Sequence, residues 1–343
     1  MNAALRNLGL SSPVIAAPMA GGPSTPQLVV AAASAGSLGF LAGGYRTGEA
    51  LAEQITEVRA ESVPFGVNLF APNPVAVGPE AFHRYARTIQ PEGSPYGLNL
   101  AAAPIVEDDD RFAEKIEALL SDPVPVVSFT FGIPGPGVIA ALRRAGTLVV
   151  QTVTSADEAR LAAEAGADLL VVQASAAGGH SGTLTPSDIP PETPLVELLG
   201  QVRAAVSLPM VAAGGLATPA SVTEVLAAGA EAAMVGTVLL RAGESGASPP
   251  YKAALADPSR DRTVVTRAFT GRPARALRNE FTDRYTPLAP VGYPALHHLA
   301  SPMRKAAAAS GNPERINLWA GTGHRYATAE PAAHILTRLA GRA

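Results

Sequence analysis

The sequence predicts an α/β protein folded as a closed (β/α)8 barrel, with a small, mainly helical insertion over the barrel mouth. Three observations predict it. Short apolar runs alternate with Ala-rich amphipathic segments about eight times, the number such a barrel requires. Most of the runs are apolar throughout instead of alternating, as strands buried on both faces of a parallel sheet must be. Two helix-to-strand joints are near copies, Glu164-Ala-Gly-Ala-Asp168 and Ala228-Gly-Ala-Glu231, each with a glycine where a helix can end in left-handed backbone. About eight units fit closure better than the roughly five or six strands of a doubly wound sheet.

The strands are expected at residues 13–17, 38–41, 64–70, 126–131, 147–152, 169–173, 209–213 and 231–235. Helices follow most of them, at 26–35, 47–61, 137–145, 155–165, 195–206 and 219–228, with Thr47 a cap for the second and Gly36 a stop for the first. Residues 71–110 interrupt the rhythm with Pro/Gly turns and one helical patch at 80–88. They end in Asp108-Asp109-Asp110, which favour the amino end of a helix at 111–120. Residues 240–312 are rich in Pro and Arg and lack alternating strands, so they read as the excursion over the mouth. The expected division is a barrel over 1–239, a helical lid over 240–312 and a segment over 313–343 that closes on the barrel through a helix at 331–339.

Composition excludes several function classes. Apolar residues make up 47% and charged residues 16%, so the chain can bury a large core and is not globally disordered. A net charge of -3, with lysine only at 115, 252 and 305, gives no reason to expect nucleic acid as a partner. Cysteine is absent, which removes disulfides, thiolate metal sites and a cysteine nucleophile, and no metal is expected. No apolar run approaches the ~20 residues of a membrane span, and the first ten residues do not read as a signal peptide. A cytoplasmic protein that does not engage a membrane is the expectation.

The chemistry concentrates in residues 169–183. After the apolar run, Ala174, Ala176, Ala177, Gly178 and Gly179 thin the backbone, and Gln173 and His180 flank the thinned part. In a barrel the working residues sit at strand carboxyl ends, and phosphate favours the loops after strands seven and eight. Those loops here hold Gly214 and Gly215, and Val235, Gly236 and Thr237, turns whose free N–H groups suit a phosphate. Ala17, Pro18 and Met19 put a rigid apolar backbone at the first strand end, Asn68 lies near the third, and Ser128 and Phe131 belong to the fourth. An amide can read the heteroatom edge of a flat heterocycle. Asn68 or Gln173 taken alone fits equally well a buried amide that ties down a loop. Together, amides, thin backbone and phosphate loops suggest FMN across the barrel mouth, with His180 beside its ring.

The whole chain resembles the class I nitronate monooxygenases, FMN-dependent TIM-barrel enzymes. The resemblance rests on APMAGG with TPxL (residues 17–28), VNLF (67–70), SFxFG (128–132) and QxxxAGGHxGT (173–183). It continues through AAGG (212–215), VGT (235–237), TRAFTGRPAR (266–275) and SGN…LWAG (310–321). It implies flavin contacts at Met19, Asn68, Gln173, Gly178, Gly179, Gly215, Met234, Val235, Gly236 and Thr237, and a base at His180. The chain departs from the family at Ala176, where a carboxylate is usual, and at Ser181, where arginine is frequent, so the site's edge is expected to carry less charge. The implied activity is oxidation of alkyl nitronates, and of nitroalkanes deprotonated by His180, with O2 and FMN. The protein is expected as a monomer or homodimer. Tyr293, His297, His298 and Arg304 are candidate lid contacts, and Trp319 reads as core. The alternative is an NAD(P)H-dependent flavin reductase of quinones or enoyl thioesters.

Overall fold

The computed structural model describes residues 3–342. Its eleven described strands, in chain order, are β1 (Val14–Ala16), β2 (Leu38–Ala42), β3 (Phe65–Phe70), β4 (Val126–Thr130), β5 (Leu148–Val153), β6 (Leu169–Gln173), β7 (Gly179–His180), β8 (Met210–Ala213), β9 (Ala232–Val235), β10 (Thr263–Thr266) and β11 (Ala274–Leu277). Eight of them close a barrel in the order β1-β2-β3-β4-β5-β6-β8-β9. Closure is made by parallel pairing of β1 with β9, Val14 opposite Ala233 and Ala16 opposite Val235. The predicted (β/α)8 barrel is therefore present, and each predicted barrel strand lies within two residues of an observed one.

The apolar strands are apolar because both faces are covered. Ile15, Phe40, Val126, Val150, Val171, Val211 and Met234 fill the barrel interior, with Leu5 and Leu10 in the same cluster. The residues between them face outward: Val14, Leu170, Val172, Ala212 and Val235 meet the surrounding helices, as do Val67, Val127 and Val149 on the other side. Alternation of side-chain direction along a strand produces this two-layer arrangement. The two copied joints also fold alike, with Gly166 and Gly229 at φ 96° and 93°. Thr47, Ser155 and Thr218 cap the helices that follow them through their hydroxyls.

Two expectations about the excursion change. It is not strand-free: β10 and β11 pair antiparallel, and β11 continues onto β7 to form a three-stranded sheet. Strands of two and four residues leave too short a period to read from sequence. Helix Pro79–Gly93, within the interrupted stretch, is also longer than the 80–88 patch and runs through Pro91. Its Phe82, Tyr85, Ala86 and Ile89 share a core with Phe269, Phe281, Leu296, Leu299 and Met303. So residues 240–312 share one core with a helix from the interrupted stretch. Among the described residues no helix is long and apolar enough to cross a membrane.

One buried carboxylate ties the loop after β7 to the barrel. Glu158 is 6% exposed, and it accepts from the N–H and hydroxyl of Thr154, the hydroxyl of Thr183 and the N–H of Leu184. Truncation leaves several buried donors without an acceptor. Glu158→Ala is expected to lower stability by roughly 2–4 kcal/mol, read as a shift of the urea midpoint.

Candidate active site at the barrel mouth

His180 is held by backbone on several sides. Its strand, β7, pairs Gly179 and His180 with Arg275 and Ala274 of β11. The Gln173 amide then closes the loop on itself, donating to His180 O at 3.3 Å and accepting from Gly182 N at 2.7 Å. The imidazole Nε2 lies 2.9 Å from Thr270 Oγ1. Around the ring stand Trp319, Phe131 and Tyr293, at centroid distances of 5.1, 5.5 and 6.0 Å. Trp319, read from sequence as core, is half-buried and beside the histidine.

Burial, followed by the charges of Arg272 and Arg304, pushes the His180 pKa from 6.5 down to about 3. The ring is therefore neutral at ordinary pH. Because the folded-state pKa lies below the unfolded one, His180 favours the folded state above about 6.5 and loses that contribution as the pH falls toward 3. Its ring-proton NMR shifts should stay constant between about pH 8 and 5, where an ordinary histidine titrates.

A second surface, almost free of side chains, faces the same opening. Gly214 and Gly215 take φ of 115° and 74°, backbone that glycine adopts at little cost. A Cβ on Gly178 would lie 2.5 Å from Gly321 N, and one on Gly214 would lie 2.9 Å from Ala174 O. The loops after β6 and β8 and the C-terminal segment thus meet backbone to backbone. Gly321 N also donates to Thr237 Oγ1 at 3.0 Å, which leaves the threonine proton free to be given elsewhere. Gly214, Gly215, Gly236 and Thr237 remain half-exposed above strands that are otherwise buried. A recess of N–H groups and one hydroxyl, built from Gly, Ala and Thr, fits a phosphate.

The other predicted residues divide. Ala17, Pro18 and Met19 are half-exposed on the same rim, with Met19 Sδ 3.4 Å from where a Cβ on Gly236 would lie. Met234 and Val235 do not open to it: their side chains belong to the inner and outer cores, so only their backbone is available. Asn68 is buried, and its amide N donates to Ser128 O, Ser128 Oγ and Thr130 Oγ1 at 3.2, 2.9 and 3.1 Å. Ser128 is buried, and its hydroxyl accepts from the Asn68 amide. Tyr293 and His297 do reach the site, Tyr293 at 5.3 Å from Phe131 and 6.3 Å from His297. His298 instead pairs with Asp108 at 3.0 Å.

Sequence reasoning missed several neighbours. Tyr45 stacks on His297 at 4.1 Å and 5°, and Arg272 lies over the Phe131 ring at 4.1 Å. Thr270, Arg272, Gly321 and Thr322 lie in or beside the blocks 266–275 and 310–321, motifs that carried the resemblance but no assigned role. Away from the edge at Ala176 and Ser181, Arg272 and Arg304 bring two buried cations to the site. Tyr45 and Phe131 have left-handed φ of 66° and 82°. Such backbone is uncommon for aromatic residues and tends to gather where a site demands a particular side-chain direction.

A family profile for nitronate monooxygenase matches residues 2–340. A probable nitronate monooxygenase from Staphylococcus aureus strain Newman is 35% identical over 337 residues, covering 97% of this chain and 94% of the relative. Among solved structures, nitroalkane oxidase from Streptomyces ansochromogenes superposes with a TM-score of 0.93 at 46% identity, over 99% of this chain and 97% of that one. FabK from Thermotoga maritima gives 0.76 at 26% identity, over 100% and 96%. Matched from end to end by sequence and by structure, the chain belongs to the nitronate monooxygenase family of flavin-dependent oxidoreductases.

Proposed function

We propose that this enzyme oxidises alkyl nitronates with O2, that FMN is its flavin, and that His180 admits neutral nitroalkanes by removing the α-proton. The observation that carries the reading is a neutral imidazole beside a small aromatic cluster, on a loop that meets a recess of bare backbone. Gly214, Gly215, Gly236 and Thr237 would hold the phosphate, and Ala17, Pro18, Met19, Gly178 and Gly179 would line the flat ring without side-chain obstruction. Asn68 and Gln173 act chiefly by fixing the strand ends and loop that meet the ring. Bound there, FMN supplies the electron acceptor and the means of bringing O2 into the reaction.

The chain's own residues handle the proton. When Nε2 carries hydrogen it donates to Thr270, whose hydroxyl lies 3.4 Å from Arg272 O as an onward acceptor. Nδ1 is then the lone pair that meets the substrate α-carbon proton. Thr270 is a positioning residue in this scheme, because it selects the tautomer without touching substrate. The depressed basicity of His180 is not a fixed handicap. Burial is the larger cause of the depression and the two guanidiniums the smaller; negative charge forming on the substrate favours the imidazolium and offsets the guanidiniums, so the ring gains basicity during the transfer. Phe131, Tyr293 and Trp319 exclude water from it. In the same reading residues 240–312, joined by helix Pro79–Gly93, form the lid, and the segment 313–343 completes the recess.

The test is oxygen uptake with propionate 3-nitronate by the purified protein, together with its visible spectrum and the mass of any flavin released on denaturation. A yellow protein that releases FMN and consumes O2 is expected. A colourless protein that takes up no FMN would defeat the reading. Rapid bleaching of the flavin by anaerobic NADPH would favour a reductase instead.

A further inference from the structure

Two buried cations stand beside the aromatic cluster around His180: Arg272, on which the charge of Glu158 acts from beyond ion-pair distance, and Arg304, on which only the Tyr45 and Tyr293 phenols act. Arg272 is 0% exposed and Arg304 is 9% exposed, and among the described residues neither has a carboxylate within ion-pair distance. Arg272 spends Nε and Nη2 on Ser181 O and Thr183 O, but its Nη1 has no partner. Arg304 gives Nη2 to His297 Nδ1 and O, at 3.2 and 3.1 Å, but its Nε has no partner. Burial lowers the pKa of each to about 10, so both remain charged at neutral pH. A buried charge without a counter-ion is costly and is ordinarily paired.

The surroundings place these cations in one compartment. Tyr45 stacks on His297, which Arg304 holds, and Arg272 covers Phe131, whose ring meets Tyr293. The Tyr45 and Tyr293 phenols each feel the charge of Arg272 and add to the field on Arg304. Tyr45 is exposed over 36% of its surface, so it carries this cluster out to solvent. The phenol hydroxyls are uncharged at neutral pH and can donate.

We propose that Arg272 and Arg304, with Tyr45 and Tyr293, form a seat for a small planar oxyanion of the carboxylate or nitrite type. The proposal deepens the nitronate reading, since it names a second anionic group that the same pocket accepts. Two sources present that chemistry: an acid group on the substrate's own chain, or nitrite released from it. A planar oxyanion suits the guanidinium fork, and each charge-assisted bond is worth enough to be measured.

Binding is tested first without turnover. The flavin-loaded protein is titrated with sodium propionate, sodium nitrite and propionamide at constant ionic strength, followed by flavin absorbance and by melting temperature. Propionate or nitrite should saturate and raise the melting temperature, and uncharged propionamide should do neither. Arg304→Gln should weaken the anion by roughly 10–100-fold, the loss of one or two charge-assisted bonds. Arg304→Lys, which keeps the charge but not the fork, should fall between. Steady-state kinetics then separates the sources. A wild-type preference for propionate 3-nitronate over propyl-1-nitronate that Arg304→Gln abolishes identifies the substrate's acid group. Equal use of both nitronates, with competitive nitrite inhibition that the variant loses, identifies the released ion. Anions that bind no better than propionamide to the wild type, or equally well to a folded Arg304→Gln, would overturn the seat. Anion binding without any nitronate turnover would retain the seat and remove the nitronate reading, so the two fail separately.

Discussion

Replacing His180 with asparagine is expected to slow turnover of a neutral nitroalkane by about 10²–10⁴-fold, the usual worth of a positioned general base. The pre-formed nitronate has already lost that proton, so its turnover should fall by no more than a few fold. The split between the two substrates is the diagnostic, since damage to the flavin site would lower both together. Asparagine keeps a polar group of similar size beside Thr270, which limits repacking among Phe131, Tyr293 and Trp319. The pH profile supplies an independent reading. With the imidazole held at about 3, kcat/KM for the nitroalkane should show no acid limb near 6.5. Stopped-flow anaerobic flavin reduction with each substrate measures the effect directly. An equal loss on both substrates would remove His180 from the role of base.

The other large effect is expected at Gly178, where one methyl group should empty the flavin site. A Cβ there would meet Gly321 N at 2.5 Å, and Ala320 C and Cα at 2.7 and 2.9 Å. All three contacts are backbone, so no flexible side chain can move aside. Relief requires the 320–322 segment to withdraw, which breaks the Gly321–Thr237 hydrogen bond and the Thr322–Ala176 backbone bond. Overpacking of this kind costs roughly 1–3 kcal/mol, and here it falls on the walls of the recess read as the phosphate site. Gly178→Ala should therefore weaken FMN by at least roughly tenfold, since about 1.4 kcal/mol is a factor of ten in binding. Fluorescence titration of the flavin-stripped protein reads it. Gly137→Ala is the matched control: its Cβ would meet nothing within 4 Å, and it lies in helix Pro136–Arg144. That change should leave FMN binding intact and stabilise slightly. Unchanged FMN affinity in Gly178→Ala would show that the recess does not hold the cofactor.

Much of this molecule is legible in the order of its residues, for local reasons. A strand covered on both faces must be apolar, and a helix that ends before the next strand prefers a left-handed glycine. Those two constraints act within a few residues, which is why the eight barrel strands, the cap at Thr47 and the joints at Gly166 and Gly229 could be read in advance. The thinned backbone around Gly178 and Gly179 and the two Gly-rich turns after β8 and β9 were visible for the same reason.

The tertiary structure alone decided what distant segments do to one another. That Gln173 ties the loop carrying His180, that Ser128 accepts from Asn68, and that β11 clamps His180 all depend on partners between 7 and 94 residues away, and no local pattern encodes them. The same holds for Arg272 and Arg304. In sequence Arg304 is only one of four candidate lid contacts and Arg272 sits in a motif with no assigned role, and such residues usually end on a solvated surface. Only folding reveals that each is buried without a carboxylate, because burial and the absence of a counter-ion are properties of the surrounding volume rather than of the residue.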